Sequence, residues 1–274
     1  MLEIENLEYG YHRKTPILSN FNLKIEPGTV CGLLGKNGVG KSTLIYLMCG
    51  LLKPQGGLIR YNTYIPYNRD IMFLEDIFLV PEEFSLPSIS IQDYEKANSQ
   101  FYPKFNHSEF EKYLEMFEVR KDSKLGALSM GQKKKVFLSF GMACNTSLLL
   151  LDEPTNGLDI SSKRSFRKVV AECMADNKII LISTHQVNDI DKILDRVVIM
   201  NNEGVLLDSK LEAISKQYKF IFTPDRERAA KALVSLDVPG GYNIAEPFTE
   251  EEGETDINIE TLYEMIIHKT HQNN

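Results

Sequence analysis

One nine-residue stretch, Gly35–Thr43, constrains this chain more than any other feature of its sequence. It reads Gly-Lys-Asn-Gly-Val-Gly-Lys-Ser-Thr and fits the pattern G-x-x-x-x-G-K-[ST]. An apolar run over 29–34 precedes it and predicts a buried strand, while a helix-like run over 42–49 follows and ends at Gly50. The pattern therefore lies where a strand passes directly into a helix.

This arrangement is suited to holding the phosphates of a nucleotide. Glycines let backbone N–H groups close around phosphate oxygens without a Cβ in the way, and the helix N-terminus adds partial positive charge. Lys41 can reach the β- and γ-phosphates, and the hydroxyl of Ser42 can ligate Mg²⁺. We expect nucleotide contacts from Gly35, Asn37, Gly38, Gly40, Lys41, Ser42 and Thr43.

The composition limits which classes of protein remain. The chain has 274 residues, 43% of them hydrophobic, which suffices for one large domain or two small ones. No run approaches about 18 apolar residues, and the acidic start lacks an apolar signal region, so we expect neither a membrane span nor a secretion signal. The net charge of −7 disfavours a nucleic-acid surface. Four separated cysteines predict buried thiols in a reducing compartment.

A second chemical feature is an acidic pair behind a run of four leucines. The run, 148–151, predicts a strand buried on both faces, and Asp152 and Glu153 follow it at once. Open α/β sheets bind ligands at the carboxyl ends of their strands, where one carboxylate can hold Mg²⁺ and its neighbour can polarise water. The alternative is an acidic pair in solvent. The predicted strand over 179–183 ends near His185, whose imidazole can bind a γ-phosphate.

The remaining segments predict a mixed α/β chain. Apolar spacing over 2–7 predicts an edge strand, and strict alternation over 21–25 predicts a half-buried strand. A further strand is expected over 77–80, and a hairpin over 197–207. Helical periodicity dominates from about 85 to 145, which indicates a helical insertion between two strand-rich halves.

A smaller unit is predicted to occupy residues 215–274, after a main domain of 1–214. It contains a short strand over 220–222, an amphipathic helix over 226–236 and a second helix over 259–268, with an acidic loop between the helices. It carries no catalytic constellation. Regulation, a dimer contact and a cover for the sheet all stay open as its role.

Two further stretches have ambiguous patterns. Tyr11 lies in a predicted polar loop and is a candidate to stack on a nucleotide base, although a half-exposed turn tyrosine is the alternative. Leu-Ser-Met-Gly-Gln at 128–132 is followed by three lysines, 133–135, at the start of a predicted helix. A basic run on a helix is usually a solvated face, and we expect that here.

Taken together, these segments resemble the nucleotide-binding subunit of ABC transporters. The resemblance covers residues 1 to about 214, in the family's order and spacing. The segments that carry it are Gly35–Ser42, similar to the Walker A loop; Leu128–Gln132, similar to the signature L-S-G-G-Q; Leu148–Glu153, similar to Walker B with the catalytic glutamate; Asn156–Asp159, similar to the D-loop; His185, similar to the switch histidine; and Tyr11, similar to the base-stacking aromatic residue.

The resemblance implies an α/β fold: a P-loop NTPase core with a mixed sheet, an N-terminal antiparallel β subdomain, an inserted helical subdomain and a small C-terminal α+β extension. It implies an ATPase with ATP and Mg²⁺ as cofactors. Its partners would be a membrane-spanning permease and a second ATPase subunit, with no nucleic acid and with membrane contact only through the permease. The expected location is the cytoplasmic face of the plasma membrane.

The family's roles pass to matching positions of this chain. Catalytic roles fall to Glu153, His185 and Lys41, and metal contacts to Ser42, Glu82 and Asp152. The signature and D-loop would contact nucleotide through Ser129, Gly131, Gln132 and Asp159.

The chain departs from the family pattern at two positions. Met130 replaces a signature glycine, and we expect little effect because Ser129 and Gly131 remain. Glu82 stands where the family's Q-loop glutamine is expected, which adds negative charge near the γ-phosphate and predicts an altered Mg²⁺ dependence.

The sub-family and the partner are the finer predictions. The stretch 101–105 and the lysines at 133–135 are similar to the ABC-2-type exporter branch, which predicts export. Each motif occurs once, so both sites of a homodimer would be competent, and a heterodimer stays open. The alternative function is a soluble ABC-type ATPase acting on ribosomes or DNA. One ATPase copy, no heptad array and an acidic balance disfavour it.

Overall fold

The structure, a computed structural model, describes residues 1–12, 15–249, 253 and 255–272, with side chains described as far as Lys269. The strands of this part of the chain are β1 (Leu2–Tyr9), β2 (Leu18–Ile25), β3 (Thr29–Leu34), β4 (Gly56–Tyr61), β5 (Ile77–Val80), β6 (Leu148–Asp152), β7 (Ile179–Thr184), β8 (Arg196–Asn201), β9 (Gly204–Lys210), β10 (Tyr218–Thr223), β11 (Val234–Val238) and β12 (Gly241–Pro247). The α-helices are α1 (Lys41–Met48), α2 (Ile71–Leu74), α3 (Ile91–Ser99), α4 (His107–Met116), α5 (Met130–Ala143), α6 (Ile160–Cys173), α7 (Leu211–Ser215), α8 (Arg226–Lys231) and α9 (Ile259–Gln272).

A central six-stranded sheet in the order β5-β6-β7-β3-β8-β9 organises the molecule. The first five strands are parallel and β9 is antiparallel to β8. Strands β3, β6 and β7 are buried along their whole length, as their unbroken apolar runs predict for a sheet covered on both faces. The register pairs Asp152 with Ser183 and Leu34 with Thr184, so the carboxyl ends of these three strands meet at one edge.

The N-terminal sheet has the order β2-β1-β4, and all its pairings are antiparallel. The alternation predicted for β2 is confirmed, with Phe21, Leu23 and Ile25 buried. The prediction that β1 is an edge strand is wrong, because β4 pairs along its other side and leaves β1 in the centre. The apolar spacing of β1 fixes which face is buried, but not how many neighbours the strand has.

Helices α3, α4 and α5 fill the interval between β5 and β6, where the sequence predicts a helical insertion. The predicted apolar face of α4 is buried, with Phe110, Tyr113 and Leu114 inside. Phe140 on α5 stands within a group of aromatic rings that includes Phe78 of β5, with ring centroids 5.8 Å apart. The start of α5 carries the signature, so this aromatic packing connects the signature helix to the sheet.

The C-terminal unit is an antiparallel sheet, β10-β12-β11, with α8 and α9. The predicted helix over 226–236 is wrong beyond Lys231, because β11 begins at Val234. Apolar residues at 234, 236 and 238 alternate with polar ones, which is the period of a strand, and β12 pairs along it. Ile259, Leu262 and Met265 of α9 are buried in the same apolar core as residues of β6 and β7. This helix therefore extends the main core.

The four cysteines are buried and unpaired, as predicted. Burial raises the pKa of the Cys31 thiol to about 12 and that of Cys49 to about 11. Within the described residues, no helix is both long and apolar enough to cross a bilayer.

Candidate functional site

The phosphate loop (35–43) joins β3 to α1 and has a shape that needs glycine. Gly38 and Gly40 adopt positive φ angles of 84° and 103°, a region that other residues rarely occupy. Gly40 caps α1, and a Cβ placed on it would lie 2.6 Å from Cγ2 of Ile17. The loop before α1 therefore requires glycine at both positions, as the phosphate-loop pattern predicts.

Lys41 is buried at the first turn of α1. Its Nζ donates hydrogen bonds to the carbonyls of Gly35 and Lys36, over 2.7 and 3.3 Å, and lies 3.9 Å from Oε1 of Glu153. Burial lowers the pKa of this ammonium, and the carboxylates of Glu153, Asp152 and Glu82 act in the opposite direction. The structure thus places the loop's cation beside the predicted catalytic carboxylate.

Asp152 ends β6 and is completely buried. Its Oδ1 accepts a hydrogen bond from the Ser183 hydroxyl, whereas its Oδ2 is buried and has no hydrogen-bond partner among the described residues. A buried carboxylate oxygen without a partner is costly, and a cation or its water shell would satisfy it. Ser42, a half-buried residue at the start of α1, offers a hydroxyl as a second oxygen ligand. These donors fit Mg²⁺.

That metal would still need the nucleotide. Among the described residues, no group of three or more His, Cys, Asp or Glu side chains could hold a metal ion by itself. Mg²⁺ usually keeps several waters and combines one or two protein oxygens with substrate phosphates. Ser42 and Asp152, at the carboxyl edge of the central sheet, provide two such protein oxygens.

Glu153 is buried, and its side chain is held on two sides. Its Oε1 lies 2.8 Å from Nδ1 of His185, and its Oε2 accepts a hydrogen bond of 3.1 Å from the Thr184 hydroxyl. Its backbone has a positive φ of 45°, a strained conformation for a residue with a side chain. The structure therefore brings together the carboxylate and imidazole that the sequence predicts from two separate strand ends.

Asn156 joins the loop after β6 to two other segments through its side-chain hydrogen bonds, which no sequence pattern predicts. Its Nδ2 donates to Oε1 of Glu82 over 3.0 Å, and its Oδ1 accepts from Nε2 of Gln186 over 3.2 Å. Glu82 is exposed and contacts this loop. Its role as a metal ligand stays a prediction.

Lys134 is buried, so the prediction that lysines 133–135 form a solvated face is wrong for this residue. It is only 5% exposed, and its Nζ donates to the carbonyls of Glu153 and Asn156, over 3.1 and 3.0 Å. Lys133 and Lys135 are partly exposed. Helical spacing places Lys134 on one face with Leu138 four residues later, and that signal could have revealed its burial.

The signature (128–132) lies at the N-terminus of α5. Gln132 donates its backbone N–H to Oγ of Ser129, and the Ser129 N–H bonds Oε1 of Gln132, which together form a capping box. Ser129 is exposed and Met130 is 58% exposed. Within the described part of the chain, no hydrogen bond joins these side chains to the phosphate loop. A Cβ on Gly131 would lie 3.0 Å from the carbonyl of Gly157.

Asp159 and Tyr11 lie at the margins of the site. Asp159 caps α6, and hydrogen bonds from Ser162 and Ser161 hold the pKa of its carboxyl well below the usual range. Tyr11 is exposed, and its hydroxyl lies 3.3 Å from Oγ1 of Thr43. Tyr11 thus lies beside the phosphate loop, and its stacking on a nucleotide base stays a prediction.

Comparisons with known proteins agree with this geometry. The family model described as "ABC transporter" matches residues 18–156. The high-affinity zinc uptake system ATP-binding protein ZnuC of Bacillus subtilis is 31% identical over 212 residues, which cover 72% of this chain and 90% of that protein. The energy-coupling factor transporter ATP-binding protein EcfA3 of Clostridium perfringens is 32% identical over 264 residues, covering 92% and 89% of the two chains.

A solved structure described as the ATP binding subunit of an ABC transporter superposes with a TM-score of 0.70. It is 26% identical, and the match covers 78% of this chain and 91% of that one. The fold predicted for the core, with its mixed sheet, antiparallel β subdomain and helices, is thereby confirmed. The chain belongs to the ABC transporter family, as an ATP-binding subunit that hydrolyses ATP to power a transporter.

Proposed function

We propose that two ATPase subunits close head to tail on ATP, with the phosphate loop of each facing the signature of the other. The observation that carries this proposal is the state of the signature. Its serine is exposed at a helix N-terminus and makes no hydrogen bond to its own phosphate loop within the described residues. The exposed N-terminus of helix α5 is suited to binding a phosphate, which in this proposal is the γ-phosphate held by the partner.

Each side chain of the site then has its own role in ATP hydrolysis. Glu153 accepts the hydrogen bond of a water and orients its oxygen toward the γ-phosphorus. As the new P–O bond forms, the bond to the ADP oxygen breaks, and the carboxylate takes up the proton of the water. Lys41 and His185 stabilise charge on the phosphate oxygens, and Ser42 with Asp152 would hold Mg²⁺, which neutralises phosphate charge when bound.

Hydrolysis removes the phosphate that bridges the two subunits. Neither surface surrounds the γ-phosphate alone, so the pair opens once ADP and phosphate replace ATP. Closing and opening is the motion that a permease would use. We place the chain at the cytoplasmic face of the plasma membrane, in contact with the membrane through that permease.

An apolar groove suggests where the permease docks. The groove has a volume of about 570 Å³ and is lined by the rings of Phe78, Tyr102 and Phe137. Ile71 and Phe101 on its rim are exposed. Exposed apolar clusters of this kind mark interaction sites, and a short helix of the permease is the occupant we propose. Phe137 belongs to α5, so the groove and the signature share one helix.

The unit over 215–274 is proposed as a cover for the sheet of the 1–214 domain. Its helix α9 buries Leu262 and Met265 in the core shared with the central sheet. This apolar burial favours the role of a cover for the sheet rather than regulation or a dimer contact.

Export stays the prediction from the sequence, and the relatives do not support it. One relative, the ATP-binding protein ZnuC, belongs by name to a zinc uptake system. Part of the sequence signal for export is the lysine run, whose middle residue is buried against the site. Transport by the complex in inside-out membrane vesicles decides the direction of transport, since uptake into such vesicles means export in the cell.

The test of the dimer is the Glu153→Gln variant with ATP and Mg²⁺. We expect it to bind ATP, to lose hydrolysis and to elute as a stable dimer in size-exclusion chromatography, whereas wild type with ADP elutes as a monomer. A variant that stays monomeric with saturating ATP contradicts the proposal. If dimers form only after a second ATPase subunit is added, the pair is a heterodimer.

A further inference from the structure

A lysine outside the recognised motifs is buried against the catalytic loop. Lys134 lies on the first turns of α5, two residues after the signature, and is only 5% exposed. Burial lowers the pKa of its ammonium, and the carboxylates of Glu82, Glu153 and Asp152 act in the opposite direction. A buried ammonium is tolerated only where hydrogen bonds and opposite charges surround it, and this pocket provides both.

The partners of Lys134 are backbone carbonyls of a single turn. Nζ donates to the carbonyl of Glu153 over 3.1 Å and to that of Asn156 over 3.0 Å. The same Glu153 carbonyl accepts the Asn156 N–H over 3.3 Å, so the ammonium closes both ends of one turn. Hydrogen bonds from a charged donor are stronger than those between neutral groups.

This turn needs such support. Glu153 has a positive φ of 45°, and residues in that conformation persist only where the surroundings hold them. The side chain of Asn156 extends the support to Glu82 and Gln186. The turn is therefore fixed from the signature helix, from the segment after β5 and from the segment after β7.

We propose that Lys134 is a positioning residue that ties the signature helix to the turn presenting Glu153. A second subunit that presses on the signature then acts on the position of the carboxylate as well. The lysine does not touch the reacting atoms. This inference rests on the proposed role of Glu153 as the group that orients water.

The first measurement is hydrogen exchange in the nucleotide-free, full-length protein. Lys134→Met removes the ammonium, and the amides of Asn156 and Leu158 should exchange about tenfold faster, since each closes part of this loop. Lys133→Met is the matched control, because it removes the same charge from the neighbouring, partly exposed position. Equal exchange in the Lys134→Met variant and wild type overturns the proposal, whatever the ATPase shows.

The second measurement separates positioning from general damage. We expect Lys134→Met to lower kcat for ATP hydrolysis about 10- to 100-fold, with KM for ATP within about twofold of wild type. Lys133→Met should stay within about twofold of wild type in both. A raised KM with unchanged kcat, or equal losses in the two variants, overturns the positioning role.

A conservative series covers the case in which Lys134→Met does not fold. Lys134→Arg keeps the charge and donors, and Lys134→Gln keeps a neutral donor, so kcat should fall in the order Lys, Arg, Gln. Equal kcat in all three overturns the proposal. Full hydrolysis by Glu153→Gln would disprove the role of Glu153, while the exchange experiment would still report on the tie between Lys134 and the turn over 153–156.

Discussion

The two surfaces that we propose to face ATP differ in how complete they are within one chain. At the carboxyl edge of the sheet, Lys41, Glu153 and His185 lie together: Nζ of Lys41 is 3.9 Å and Nδ1 of His185 is 2.8 Å from Oε1 of Glu153. The signature instead uses the side chains of Ser129 and Gln132 to cap its own helix, and Ser129, Met130 and Gln132 are exposed. The chemical groups are assembled in one subunit, whereas closure around the phosphate, under the proposed function, requires another.

The largest loss of activity should come from a change at the carboxyl edge of the sheet. Lys41→Met removes the cation of the phosphate loop, and we expect kcat/KM for ATP to fall by about 10²- to 10³-fold. ATP affinity, measured by calorimetry, should fall with it. Lys36→Met removes an exposed lysine from the same loop and should lose far less. If Lys41→Met still binds ATP tightly, the carboxyl edge of the sheet does not hold the phosphates in the way described.

The exposed surface is tested by Ser129→Asp. Aspartate is a good N-cap, so α5 should keep its start and the melting temperature should stay close to wild type. Its charge repels the partner's phosphate, so ATP-driven dimerisation in the Glu153→Gln background should weaken by about 100-fold. The ATP affinity of the monomer should not change. A dimer as stable as that of Glu153→Gln alone would show that Ser129 does not face phosphate.

Glu82→Gln examines a residue between the two surfaces. Glutamine can still accept the hydrogen bond from Asn156, but it removes a negative charge near Lys41. We expect the Mg²⁺ concentration for half-maximal ATPase activity to rise by about two- to fivefold, because the side chain is exposed and its charge is screened. An unchanged Mg²⁺ titration would remove Glu82 from the metal site.

The smallest effect is expected from Met130→Gly, which restores the usual signature residue. Met130 is 58% exposed, so its side chain contributes little to the core. Glycine in a helix costs about 0.5–1 kcal/mol, so a slight loss of stability is expected, with ATPase activity within about twofold of wild type. A large gain in ATP-driven dimerisation would show that Met130 obstructs the partner.

Much of the site could be predicted because it depends on short stretches of chain. The glycines at 38 and 40 adopt the positive φ that the phosphate-loop pattern requires, and Asp152 and His185 stand at strand ends that apolar runs mark clearly. The alternation of β2 was read correctly for the same reason. Local steric rules and the pattern of apolar residues fix these features before distant segments meet.

The errors lie where distant segments decide the outcome. β1 is central because β4, beyond α1 in the chain, pairs with it, and residues 234–238 form a strand because β12 offers them a partner. Lys134 is buried because α5 packs against the turn after β6.

The sequence by itself determined the shape of the phosphate loop and the polar side chains at the neighbouring strand ends, since backbone conformation and side-chain polarity are local properties. Only the tertiary structure decided that Lys134 and Asn156 hydrogen-bond around the turn that carries Glu153, because these bonds join segments that the chain order keeps apart.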